Sequence, residues 1–129
     1  MGPRRCKKIL SKTRTLLEKM KSKVVFGNSK LRNSFNKLKK SKTEDKKLYE
    51  WLVRAFEDLE NDSFCGIQVP KKLIPKEYEK RFEKIDNLWK YNLPNAWRLI
   101  YTVKSNEIIV LSIVLEWMDH KKYEKKFNY

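Results

Sequence analysis

Residues 87–127, NLWKYNLPNAWRLIYTVKSNEIIVLSIVLEWMDHKKYEKKF, decide how this chain folds. They predict three successive strands joined by short turns, then a short helix. Leu88, Trp89, Tyr91 and Leu93 form the first apolar run, and Pro94-Asn95 interrupts it as turn residues do. Trp97, Leu99, Ile100, Tyr101 and Val103 form the second, closed by Ser105-Asn106. Residues 108–115 are an almost unbroken β-branched and leucine run, the pattern of a central strand covered on both faces. Such a strand needs helices or another sheet above and below it, and the amino-terminal half must supply them.

That half reads as helices around one short strand. Residues 7–20 carry Ile9, Thr13, Leu16, Leu17 and Met20 on one helical face, with Lys and Arg on the other. Lys23-Val24-Val25-Phe26 is a short strand ended by Gly27-Asn28. Ser29 is placed to cap a helix with Leu31, Phe35 and Leu38 at i, i+4, i+7, whose Asn36, Lys37, Lys39 and Lys40 face outward. Ser41-Lys42-Thr43-Glu44 fits a capping box for the next helix, with Leu48, Leu52, Ala55, Phe56 and Leu59 on one face and Trp51 at its border. Asn61-Asp62 and Gly66 end it. Pro70 and Pro75 bracket residues 71–74, which are expected to be extended, and residues 76–82 form a short turn of helix. The helical hairpin covers one face of the sheet. The amino-terminal helix or a partner protein covers the other.

Length and charge bound the function. The 129 residues suffice for one domain with one modest core. The net charge of +15 is lopsided, because residues 1–43 hold fifteen basic residues and one acid, Glu18. Residues 44–129 hold sixteen basic and fifteen acidic residues. RNA, DNA or anionic lipid would match such a chain. Cys6 and Cys65 stand alone with one histidine, which excludes a zinc finger or a disulfide framework. No carboxylate cluster with metal-ligand spacing appears. Charge follows Ile9-Leu10 where a signal peptide would need an apolar core, and residues 108–115 are too short to span a bilayer. A soluble cytoplasmic protein without cofactor or metal is expected.

NLWKYNLPNAWRLIY resembles the middle strands of the RelE/ParE toxin superfamily, where a tryptophan strand turns into an aromatic-Arg-hydrophobic-hydrophobic-Tyr strand. A long apolar strand and a tyrosine-containing tail follow there, as here. The likeness is strongest over residues 85–127 and extends back to about residue 21. It implies an α+β fold of order β-α-α-β-β-β-(α), a mainly antiparallel sheet under a helical hairpin. Residues 1–20 would then be a basic helical extension and residues 21–129 the domain.

The resemblance further implies a ribosome-dependent mRNA endoribonuclease of a toxin–antitoxin pair, with mRNA, rRNA and a small antitoxin as partners. In that reaction the RNA 2′-hydroxyl attacks the adjacent phosphate, giving a 2′,3′-cyclic phosphate and a 5′-hydroxyl without a metal ion. Arg98 matches the family's strand arginine on the scissile phosphate, and a guanidinium can grip two phosphate oxygens at once. Its plain alternative is a strand arginine on a solvated face, or one paired with an acid such as Glu107. His120 and Tyr123 match tail residues that relatives use for proton transfer and for orienting the 2′-hydroxyl. Alternatively Asp119 caps the last helix, His120 is merely exposed, and Tyr123 packs with Phe127. Lys71, Lys72, Lys76 and Lys90, with Lys121 and Lys122 beside His120, would bind substrate charge.

Glu116 and Asp119 stand where active relatives place basic residues, so either a carboxylate acts as base or the catalytic set is incomplete. Trp89, Trp97 and Trp117 read as core or rim aromatics. A non-catalytic RNA- or ribosome-binding protein and a ParE-like gyrase inhibitor are the rival readings. A membrane-surface protein anchored by residues 7–20 is a third.

Overall fold

The computed structural model describes residues 21–82, 84–105 and 109–127. The amphipathic stripe of residues 7–20 lies outside them, as do Cys6, Asn106, Glu107 and Ile108. Along the described chain come β1 (Lys21–Phe26), α1 (Ser29–Lys40), α2 (Asp45–Asn61) and β2 (Ile67–Val69). A 3-10 turn at Lys71–Leu73 leads to α3 (Glu77–Arg81) and β3 (Leu88–Asn92). A second turn at Pro94–Ala96 precedes β4 (Arg98–Ser105), β5 (Ile109–Met118) and α4 (His120–Phe127).

The strands form one mixed sheet in the order β1-β5-β4-β3-β2. β1 runs parallel to β5, and every other pairing is antiparallel. The fold is α+β, and the long apolar strand β5 lies inside the sheet between β1 and β4, with β4 at the middle. Val110, Ser112 and Val114 are buried toward one side and Leu115 and Met118 toward the other. No helix among the described residues is long and apolar enough to cross a membrane.

The hairpin α1–α2 covers one face. Leu48, Leu52, Ala55 and Leu59 of α2 meet Tyr91, Leu99, Tyr101 and Val103 there. Leu52 and Leu59 are fully buried, which stabilises the fold by about 1.5–3 kcal/mol each. Tyr91 donates its hydroxyl proton to the buried Asp58 carboxylate of α2, so that charge enters the core with a partner. On the second face α3 and α4 bring Tyr78, Tyr123 and Phe127 onto Leu88, Ile100, Leu115 and Met118. The chain thus carries cover for this face in two short helices.

The joints differ from the sequence reading in three places. Asn28, not Ser29, caps α1, its Oδ1 accepting the Leu31 amide at 2.9 Å. The capping box does not form. The Ser41 amide already donates to the Leu38 carbonyl at 3.1 Å to close α1, and Glu44 makes no side-chain cap. Residues 71–73 turn instead of extending, with the Leu73 amide on the Pro70 carbonyl at 2.9 Å. The prolines hold Pro70 and Ile74 extended but leave the residues between them free to curl.

β2 is an addition that three residues could not announce. It pairs with β3 through Ile67↔Lys90, and Gly66 just before it sits tight against the sheet. A Cβ on Gly66 would lie 2.5 Å from the Tyr101 hydroxyl and 2.6 Å from the Lys90 carbonyl. That hydroxyl accepts the Gly66 amide and donates to the Ser63 carbonyl, both at 3.0 Å. Gly66→Ala therefore has to displace backbone as well as a bonded hydroxyl. A loss of about 1–3 kcal/mol is expected in urea unfolding.

Candidate functional site

Two clusters of charge lie on the sheet face that α3 and α4 cover. The first is built on neighbouring strands. Alternation along β3 and β4 puts Lys90 and Arg98 on the same side as Ile100, away from the hairpin. α4 then lays Tyr123 across them. The Arg98 guanidinium lies 5.3 Å from the centre of the Tyr123 ring, and the Lys90 ammonium 5.1 Å from it. Two cations on one aromatic ring are held by its negative face. Tyr123 is only 3 % exposed and stacks on Phe127 at 4.6 Å, so it serves as a floor under the cations.

Arg98 donates from Nη1 to the Trp97 carbonyl at 3.2 Å. Its Nε is buried and has no hydrogen-bond partner among the described residues. A buried donor left in that condition is costly unless a ligand completes it. Glu107, the acid the sequence offered Arg98, lies outside the described residues.

His120 opens α4, three residues from Tyr123 and about half exposed. Its Nε2 is 2.8 Å from Glu124 Oε1, one helical turn on. Asp119 caps the helix, its Oδ1 accepting the Lys122 amide at 2.9 Å. Lys121 is exposed beside His120.

The second cluster was not foreseen. A register shift between β4 and β5 sets Ile100 opposite Glu116 and Tyr101 opposite Val114. Leu115 is the extra residue of this bulge. Leu115 and Glu116 therefore both face the α3–α4 side, where regular alternation would have sent Glu116 toward the hairpin. Glu116 is buried there. Lys126 reaches Oε2 at 2.7 Å, the Tyr78 hydroxyl donates to Oε2 at 2.8 Å, and Lys122 reaches Oε1 at 3.2 Å. Arg81 stands 3.6 Å from Oε1, and Glu77 takes a second contact from Lys126 at 3.1 Å.

Burial pushes the Glu116 carboxyl up, but the bonds from Lys126, Tyr78 and Lys122 outweigh it and hold it below the usual carboxylate range. Burial first, then the Glu116 charge, pushes the Tyr78 phenol up. Glu116 is thus a fixed anion whose lone pairs are spoken for. It is poorly suited to take a proton as a general base.

The other lysines fall in separate places. Lys71, Lys72 and Lys76 line a groove with Lys80 and Lys84, of about 750 Å³. Lys122, expected on substrate, belongs to the Glu116 cluster. Trp89 stacks on Tyr101 at 6.3 Å inside the hairpin core, as a core aromatic should. No group of three His, Cys, Asp or Glu among the described residues could hold a metal ion.

Neighbours give no help. Comparison of the chain with protein-family models, curated proteins and solved structures finds no match. The functional reading therefore rests on the site itself.

Proposed function

We propose that this chain is a RelE-like ribosome-dependent endoribonuclease that cleaves mRNA and is neutralised by a small antitoxin in the cytoplasm. The observation that carries the reading is the pairing of Arg98 and Lys90 over Tyr123, with the Arg98 Nε buried and without a partner among the described residues. Fixed cations in a partly desolvated place suit a phosphorane-like transition state, because they need no reorganisation as charge develops. Further support comes from the net charge of +15 and from the order strand, helical hairpin, antiparallel strands, tail helix. That order agrees with the β-α-α-β-β-β-(α) plan of the RelE-like fold, to which β2 and α3 are additions.

In this reading Arg98 grips the scissile phosphate and Lys90 adds a second charge. In the His120 tautomer that donates Nε2–H to Glu124, the imidazole Nδ1 takes the proton of the attacking 2′-hydroxyl. The P–O5′ bond breaks, and the departing 5′-oxygen is protonated by water. Tyr123 positions Arg98 from below. The groove at Lys71, Lys72 and Lys76, with Lys121, takes flanking RNA backbone, and affinity falls steeply as salt rises.

The test is cleavage on translating ribosomes, with the ends of the products mapped. 5′-hydroxyl ends opposite 2′,3′-cyclic phosphates are expected, and His120→Ala should slow their appearance about 10²–10⁴-fold. Salt-sensitive ribosome binding without cleavage would instead mark a non-catalytic RNA-binding protein of the same fold. The engaged state of Glu116 favours that second reading, since one candidate base is removed.

A further inference from the structure

A groove of about 420 Å³, not lined by Arg98, Lys90 or Tyr123, opens where β1 gives way to α1. Pairing of β1 with β5 ends at Phe26↔Val114, and the Gly27 amide closes on the Val114 carbonyl at 2.7 Å. The chain then turns off into α1. Beyond Val114, β5 has no strand beside it on that flank among the described residues. Lys30, Arg81 and Lys122 line the opening, with Leu31 and the half-buried Trp117 forming its apolar wall.

Among the described residues that line the groove the one carboxylate is Glu116, and it is already engaged by Lys126 and Tyr78. It acts on the groove as a tether. It draws Lys122 to 3.2 Å and Arg81 to 3.6 Å, so two long cationic side chains are held at the rim. Three cations against one shared anion leave the opening positive. The volume is in the range of ordinary ligand sites, roughly 300–1,000 Å³.

We propose that this groove binds one nucleotide unit of a single-stranded nucleic acid. Its phosphate meets Lys30, Arg81 and Lys122, and its base lies against Trp117. Cations that flank an aromatic wall are the arrangement that single strands use, since an unpaired base can stack while its phosphate is neutralised. A duplex keeps its bases inside and offers the groove only phosphate. The inference uses the proposed function for its polyanion chemistry alone. Oligonucleotide binding that depends on Lys30 and Trp117, without cleavage of mRNA, would uphold this site and sink that reading.

The experiment is fluorescence titration of the full chain with oligouridylate, oligothymidylate and a duplex of equal length, across a salt series. Single strands are expected to bind tighter than duplex, and the tighter of the RNA and DNA oligomers names the source. Lys30→Ala should weaken binding severalfold and lower the salt slope by about 0.7. Trp117→Phe should remove most of the binding-linked quenching of tryptophan emission. Arg54→Ala, an exposed cation on α2, should leave both readouts in place. Lys30→Ala and Trp117→Phe that behave as wild type would overturn the site. So would an Arg54→Ala loss equal to that of Lys30→Ala, or a wild type that binds no oligonucleotide.

Discussion

Glu116→Leu should cost about 3–5 kcal/mol of folding stability, read as a large fall in the urea midpoint at unchanged slope. The leucine matches its apolar surroundings, so a simple burial argument would predict a gain. The loss comes from what remains. Lys126, whose side chain is 9 % exposed, would be left with the half-exposed Glu77 and the face of the Tyr78 ring at 5.2 Å. The Tyr78 hydroxyl, fully buried, would lose its acceptor. Removing its three most buried members together should behave differently, since Lys122, Arg81 and Glu77 reach solvent. Glu116→Leu with Lys126→Met and Tyr78→Phe should return to within about 1–2 kcal/mol of wild type, because a buried ionic group replaced as a whole is often neutral.

The acid limb follows from the same carboxylate. Its folded-state pKa lies below the ordinary 4.5, so its contribution is complete above that pH and fades as pH falls through the folded value. Glu116→Gln keeps the shape and removes the charge. The stability gap between wild type and Glu116→Gln should be widest above pH 4.5 and narrow below it.

What the sequence made legible is the part governed by long periodic patterns. The long apolar run marked an interior strand, Ile109–Met118, and the stripe from Leu48 to Leu59 marked the longer hairpin helix. Pro94-Asn95 marked a turn that the chain completes with left-handed backbone at Asn95 and Ala96. Short elements stayed hidden because three residues of β2 carry no period. The cap of α1 moved one residue, to Asn28, because neighbouring polar side chains at Asn28-Ser29 are both suited to accept an amide of the first turn.

The Glu116 cluster was hidden for a different reason. Its placement depends on one extra residue in a strand pairing, and no local composition signals a bulge. The tail did hold a clue. Lys122 and Lys126 are four apart, on one helical face, and an acid inside an apolar strand has to find such partners. Arg98 and Tyr123, by contrast, were singled out separately and meet across two elements 25 residues apart.

Arg98→Ala should reduce mRNA cleavage by about 10²–10³-fold while leaving the urea midpoint nearly in place. The two halves of that expectation have separate causes. A guanidinium fixed on Tyr123 supplies charge where a phosphorane would develop, and alanine supplies none. For the resting protein the same side chain is a poor bargain, since its buried Nε finds no acceptor among the described residues. Its removal deletes an unsatisfied donor along with a ring contact of about 0.5–2 kcal/mol, and the two effects oppose each other. Arg98→Lys should recover part of the activity, because an ammonium brings charge but cannot grip two oxygens in one plane. A structural arginine would give the opposite pattern. Alanine would then lower the urea midpoint markedly, and cleavage would fall only in proportion to the folded fraction.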